Sequence, residues 1–262
     1  MTLPVSPNSI SLSQVNVELG VASTTAISMN QATVRTLFGV PSGAISMSNG
    51  YGKSAGPTVI GQAFGGGFYA GKIAVGGGGI ATHYLIVAPR ATGQAVKKWE
   101  TSNATNTPGT FSLIDGPANS AAMGPGNSAG VFCNDLTIGG YTDWYLPAVY
   151  ELEICYYFLK STTTANQFNQ GTPSTNGANP YAVSPEPINT IYTAGSPART
   201  SAAAFISPSG TEYFYGDGSQ WWTSTSFAGQ PTAWRQNFAT GRQDWYYKNT
   251  EMFARAVRRV PI

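Results

Sequence analysis

Fifteen residues constrain this chain more than any others: GGYTDWYLPAVYELE, from Gly139 to Glu153. Two consecutive glycines make a turn, because glycine alone reaches positive φ without steric cost. Proline is well tolerated where a helix begins, so Pro147 marks the start of a helix over residues 148–160. Val149, Leu152, Tyr156 and Leu159 then fall at helical spacing and give that helix an apolar face. Trp144 and Leu146 are expected to enter the core, and Asp143 to fix the corner through hydrogen bonds to nearby backbone. Glu151 and Glu153 stand two apart on the helix, so their side chains diverge and cannot converge on one substrate atom.

The segments around this corner read as strands. Phe64 to Val75 and Thr82 to Ala88 flank a Gly76–Gly79 turn. The last sixty residues offer further strand-like runs, at 212–215, 220–225, 233–238, 244–248 and 253–260. A second helix is expected at 129–136, and residues 101–130 and 161–200 read as long polar loops. Two helices followed by a run of short strands imply an α+β fold, with the helices segregated from an antiparallel sheet.

Composition narrows the classes of function. Charged residues make up 10% of the chain, against about 25% in a typical soluble domain. With a net charge of +2 and no cluster of Lys or Arg, the electrostatic footprint of a nucleic-acid binder is missing. No apolar run reaches the ~18 residues of a membrane span; the nearest, 73–89, is broken by four glycines and His83. The opening Met1-Thr2-Leu3-Pro4 has neither a basic region nor an apolar run. The expectation is a soluble protein made in the cytoplasm and released within an assembled particle. Cys133 and Cys155 form no disulfide framework. Buried free thiols are the favoured reading, and a single bridge the alternative.

A short repeat occupies the first fifty-odd residues. Ile10-Ser11-Leu12-Ser13, Ile27-Ser28-Met29-Asn30 and Ile45-Ser46-Met47-Ser48 recur, the first two leading into short helix-like runs. Ser13 and Asn30 are the expected helix caps, with Gly20 and Gly39 as the stops. The third copy is expected to carry no helix. Helices this short are unstable alone, so residues 1–54 are expected to dock on a partner, with residues 55–262 forming the main domain.

Motifs for chemistry fail one by one. Gly50-Tyr51-Gly52-Lys53-Ser54 ends like a phosphate-binding loop, but Met47 stands where its first glycine belongs and no helix can open at Ala55-Gly56-Pro57. Gly65-Gly66-Gly67 leads into a strand where a dinucleotide site needs a helix. His83, the single histidine, lies in an expected strand without a nucleophile partner. Asp217, between two glycines, reads as a turn residue in preference to a calcium ligand. No catalytic residue, metal site or cofactor is therefore expected. The aromatics carry more: Trp234, Arg235, Asn237, Arg242, Gln243, Trp245, Tyr246 and Tyr247 cluster late in the chain. Trp, Tyr and Arg are the residues of binding hot spots, so these eight are the candidate ligand-binding set. Alternation along strands requires some of these rings to face the core.

Two resemblances follow from residues already quoted. The Ile-Ser-apolar-Ser repeat resembles segments of tail-associated and other virion proteins of tailed bacteriophages, over residues 8–54. The ordered set Tyr84-Leu85-Ile86-Val87-Ala88-Pro89, Cys133-Asn134-Asp135-Leu136, Gly140-Tyr141-Thr142-Asp143-Trp144-Tyr145-Leu146-Pro147, Glu151-Leu152, Trp222-Thr223-Ser224-Thr225 and Arg255-Ala256-Val257-Arg258 resembles the DUF1566 (Lcl C-terminal) family, over residues 57–262. That resemblance implies a C-type lectin-like fold, shared with formylglycine-generating enzymes and with phage adhesins whose contact face lies late in the domain. It does not imply calcium-dependent sugar binding, because Ile188 follows Glu186-Pro187 where a calcium lectin needs a carbonyl-bearing side chain.

Taken together, the expectation is a non-enzymatic virion protein. Residues 1–54 would anchor it to other virion proteins, and a C-type lectin-like domain with two helices, a twisted antiparallel sheet and long loops would bind a host-surface glycan or protein. Its expected location is the virion, with a homotrimer the oligomer that fibre-like proteins suggest. The alternatives are a decorative virion protein without a receptor role and an enzyme of the formylglycine-generating type.

Overall fold

In the computed structural model, which describes residues 3–262 except 20, 54, 105, 169–175 and 216–218, the chain separates into two units, 1–56 and 57–262. The first is built on serine caps. Helix α1 (Leu12–Glu18) is capped by Ser11, not Ser13: the Gln14 amide donates to Ser11 Oγ (3.2 Å) while the Ser11 amide donates to Gln14 Oε1 (2.8 Å). Helix α2 (Ala32–Phe38) has Gln31, not Asn30, at its N-cap, and Gly39 closes it in the left-handed region at φ +71°. Asn30 instead accepts a hydrogen bond from Arg35 Nε at 2.8 Å. The third copy, expected to be irregular, makes a 3₁₀ turn over Met47–Gly50. The stop expected at Gly20 lies outside the described residues.

These short elements are stabilised by a core of their own: Leu3, Val15, Val34, Leu37 and Phe38 are buried together. Each such side chain contributes about 1.5–3 kcal/mol on burial, which offsets the weakness of isolated short helices. Gly50 is required there, since a Cβ would stand 2.6 Å from the Phe38 ring.

The second unit holds two sheets. Strands β1 (Ala63–Phe64), β2 (Gly67–Ile73), β3 (His83–Val87) and β9 (Val257–Pro261) form the first, in the order β1-β2-β3-β9, all antiparallel. Strands β4 (Gln94–Lys98), β5 (Gln220–Ser226), β6 (Thr232–Asn237), β7 (Gln243–Tyr247) and β8 (Glu251–Arg255) form the second, in the order β4-β8-β5-β6-β7. It is not wholly antiparallel, because β5 and β8 run parallel where Trp221 pairs with Phe253. The single sheet expected from the sequence is thus two, and the run expected as one strand at 253–260 serves both. Its bend is at Ala256, where the ladder continues through Ala88 N–H to Ala256 O (2.9 Å) and Ala256 N–H to Gly93 O (2.9 Å). The expected strand at 212–215 is irregular.

Four helices accompany the sheets among the described residues: α3 (Arg90–Gly93), α4 (Gly116–Ala121), α5 (Ser128–Asn134) and α6 (Val149–Leu159). Two were legible as expected helices; α4 lies inside the expected loop 101–130, capped by Asp115. Helix α6 is not amphipathic. Glu151, Glu153, Ile154 and Cys155 are buried along with Val149, Leu152, Tyr156 and Leu159. It packs on β2, β5 and β6, and the 176–192 segment bonds to it from elsewhere. Neighbouring residues of β5 point to opposite faces, so Trp221 enters the core around α6 and Trp222 the core around Trp99, Trp144 and Leu146.

The opening corner is tied to the far end of the chain. Trp144 and Leu146 are buried, and Pro147 lies two residues before α6, next to its N-cap Ala148. Asp143, contrary to expectation, bonds to a side chain: Arg258 Nε and Nη2 donate to its two oxygens at 2.8 and 2.9 Å. Arg258 also stacks on Tyr141, 3.8 Å from the ring centre, and donates to Gly65 O at 3.0 Å.

Candidate ligand-binding site

A hairpin made by β6 and β7 carries the candidate residues. Its turn is set by Asn237, whose Oδ1 accepts from the backbone N–H of Ala239 (2.8 Å) and Thr240 (3.0 Å). The resulting register puts Trp234 opposite Trp245 and Arg235 opposite Asp244. Alternation then separates two faces. On one, the Trp234 and Trp245 rings meet edge to face, 5.6 Å between centres, and Phe227 lies 4.9 Å from Trp245. On the other, the Arg235 guanidinium lies 4.4 Å over Tyr246, and its Nε donates to Asp244 Oδ1 at 2.7 Å. Arg242 reaches the second Asp244 oxygen at 3.0 Å. One carboxylate holding two guanidiniums gives this three-residue cluster a net positive charge.

The sheet curls around this hairpin. Three residues, 248–250, link β7 to β8 although β5 and β6 lie between them in the sheet; strands about 4.8 Å apart permit that link only if the β7 edge bends back. A groove of 380 Å³ fills the bend, lined by Val96, Gln220, Arg235 and Tyr246 from β4 to β7 and by Glu251, Met252 and Phe253 of β8. A smaller hollow of 260 Å³ is lined by Pro231, Trp245, Tyr246 and Tyr247. Tyr246 borders both. It is 41% exposed and Tyr247 54%, so two aromatic rings are open to a ligand. The turn is anchored by Lys248, whose buried ammonium donates to Ala104 O (3.0 Å) and Thr107 Oγ1 (2.9 Å) beside Trp99.

The eight expected residues do not share one role. Arg235, Arg242, Trp245, Tyr246 and Tyr247 lie at the groove, the hollow or the ion cluster, and Trp234 supports Trp245 from the side. Asn237 forms the turn. Gln243 is 4% exposed and cannot be a surface contact. It braces the hairpin instead: its N–H donates to Asn176 Oδ1 at 3.0 Å, and its Oε1 accepts from Gly177 N–H at 3.4 Å. Sequence reading passed over Asp244, the centre of the charge cluster. In an antiparallel hairpin partner numbers sum to a constant, so the Trp234–Trp245 pairing would have given Arg235–Asp244.

Elsewhere the polar groups support the fold. Glu151 is fully buried, accepting from Tyr145 OH, from the Ala148 amide (2.8 Å) and from Arg259 Nε (2.7 Å). His83 is on β3, with burial and Arg259 pulling its pKa down. Cys133 and Cys155 are unpaired, lie in different cores, and have their thiol pKa pushed far up by burial; neither is a ready thiolate. Among the described residues no group of three or more His, Cys, Asp or Glu side chains converges as a metal site would require. Asp217 lies outside the described residues.

Fold and site together describe a mixed α+β domain with curled sheets and few helices, in which β6 and β7 form an aromatic, arginine-bearing hairpin. The family of the Lcl C-terminal domain matches residues 97–258, more than half the chain, and the chain belongs to it. No curated protein and no solved structure matches it. Among the described residues no helix is long and apolar enough to cross a membrane.

Proposed function

We propose that this chain is a non-enzymatic, tail- or fibre-associated protein of a tailed-phage virion. Residues 57–262 act as a C-type lectin-like adhesin for a host-surface glycan or protein. The first unit anchors it to other virion proteins, and assembly is as a homotrimer. The observation that carries the binding role is the groove lined by all five strands of the second sheet, with Tyr246 exposed on its rim and Arg235 stacked against that ring. An aromatic face beside planar hydrogen-bonding groups suits a sugar ring or a peptide side chain equally. The phage setting is supported by the Ile-Ser repeat and the weakly charged composition.

Immunogold labelling of particles, combined with binding of the purified chain to host cells, tests both parts. Tyr246→Ala is expected to weaken cell binding by about thirtyfold, the effect of losing a ~2 kcal/mol hot spot, with unchanged unfolding. Absence from virions together with no binding to cells or their glycans would sink the proposal. Virion labelling with adsorption indifferent to Tyr246→Ala, Trp245→Ala and Arg235→Ala would leave the decorative role instead.

A further inference from the structure

Helix α6 carries a second buried acid. Glu153 is fully buried, and its carboxylate accepts from Tyr192 OH (2.7 Å) and Asn179 Nδ2 (2.7 Å). Facing it is Glu186, 2% exposed, whose two oxygens receive no hydrogen bond from any N–H or O–H among the described residues. Its polar neighbours are the Glu153 carboxyl and the Asn179 side chain, but Asn179 Nδ2 is already donated to Glu153 and to Tyr150 O. Two carboxyl groups bond to each other only when one holds a proton. No cation pairs with either among the described residues; the nearby Lys160 ammonium donates to Thr164 O, Asn166 Oδ1 and Pro197 O. A bare pair of carboxylates in that position would repel strongly in a low-dielectric site.

We propose that Glu153 and Glu186 share one proton at neutral pH, that this proton clasps the 176–192 segment onto α6, and that its loss releases both that segment and the β7 edge. The coupling to β7 is physical and short. Tyr192, held by Glu153, donates its N–H to Asn176 O (2.9 Å), and Asn176 in turn accepts from the Gln243 N–H at the start of β7. The same segment is fastened to the residue that follows β2, through Ala74 N–H to Tyr181 O at 3.0 Å. The titratable groups around the pair are Tyr150, Cys155, Tyr156 and Tyr157 on the helix and Tyr192 on the segment. All have their pKa pushed up, so none supplies a compensating charge near neutral pH.

Burial, the largest cause, raises both carboxyl pKa values, and the Glu153 charge adds to the rise at Glu186. Below the ordinary carboxylate range the folded and unfolded chains are equally protonated, and the clasp is at full strength. Above it the unfolded chain gives up its proton first, so the contribution falls with rising pH and is gone once the folded pair has titrated.

Hydrogen–deuterium exchange of the full chain, corrected for the intrinsic base-catalysed rate, tests this from about pH 6 to about pH 9, where each unit before the folded pair has titrated is worth about tenfold. The wild type is expected to lose protection at 176–192 and 243–247 by that factor relative to β2 and β3. Glu186→Gln, whose amide donates to Glu153 without a titrating proton, is expected to hold protection constant within about twofold over the same range. A wild type without pH dependence, or a variant with the same dependence, overturns the clasp. Should the variant fail to fold, ¹³C-carboxyl NMR of the wild type decides: one of the two glutamates protonated at about pH 7 supports it, and both ionised there overturns it.

Discussion

Single side chains tie this fold across long sequence distances, and Arg255 does so most completely. Its side chain is fully buried, 4.7 Å from the Phe214 ring centre, donating to Ala88 O (2.9 Å), to Glu212 O (2.6 Å) and to the Glu212 carboxylate (2.9 Å). That carboxylate also accepts the Arg90 amide at 2.6 Å. The Glu212 segment, strand-like by residue type, stays irregular because it is held by these side-chain bonds and not by a ladder. Removing one partner of a buried ion pair leaves an uncompensated charge, at a cost of about 3–5 kcal/mol. Glu212→Ala is therefore expected to lose that much stability in urea unfolding, while Glu251→Ala, at an exposed position, stays within about 0.5 kcal/mol. Equal effects would mean that Arg255 finds another partner. None of this was legible beforehand: Arg255 and Glu212 lie 43 residues apart, and no local pattern reports which charge a strand will bury.

At the scale of elements, legibility followed the range of the signal. The turn, Trp144, Leu146, Pro147 and the helix after them were all readable, because glycine, proline and helical spacing act within a few residues. The first unit shows where local signals compete. Ser11 and Ser13 are both acceptable caps by propensity, and the choice falls to the residue three further on: Gln14 answers Ser11. The same backbone bond recurs from Ser28 to Gln31 Oε1 (3.3 Å) and from Ser46 to Asn49 Oδ1 (2.8 Å). The unit of the repeat is thus Ile-Ser-x-x-Gln/Asn: Ser11 and Ser46 close capping boxes, whereas in the second copy only the Ser28 amide bond to Gln31 forms, ahead of the α2 cap. Ser11→Ala is expected to destabilise the first unit by about 1 kcal/mol and Ser13→Ala by a few tenths at most, read from denaturant unfolding of that unit. The reverse order would show that the cap is Ser13 after all. Helix α6 was misjudged for the opposite reason: its second covering, the 176–192 segment, comes from a loop whose polar composition gives no sign that it packs inward.

Across the whole molecule, the ordered landmarks place the family and the strand-rich second unit, yet the division into two sheets depends on a bend at Ala256 that composition does not announce. Asp143 meets Arg258 across 115 residues, and the groove exists only because β7 curls back toward β8. What can be tested at this scale is independence. Both large cores, around α6 and around Trp144, are built from residues of 57–262, and the small core around Phe38 from residues of 1–56. Among the described residues, neither set of buried residues includes one from the other unit. A chain of residues 57–262 is therefore expected to unfold cooperatively within about 4 °C of the corresponding transition in the full protein, a shift equivalent to about 1 kcal/mol for a domain of this size. It should also keep the Tyr246-dependent cell binding. A lower, broad transition in calorimetry would show that the first unit supplies folding energy to the second. Its proposed anchoring role would then have to be separated from a structural one before virion incorporation of any truncated chain could be interpreted.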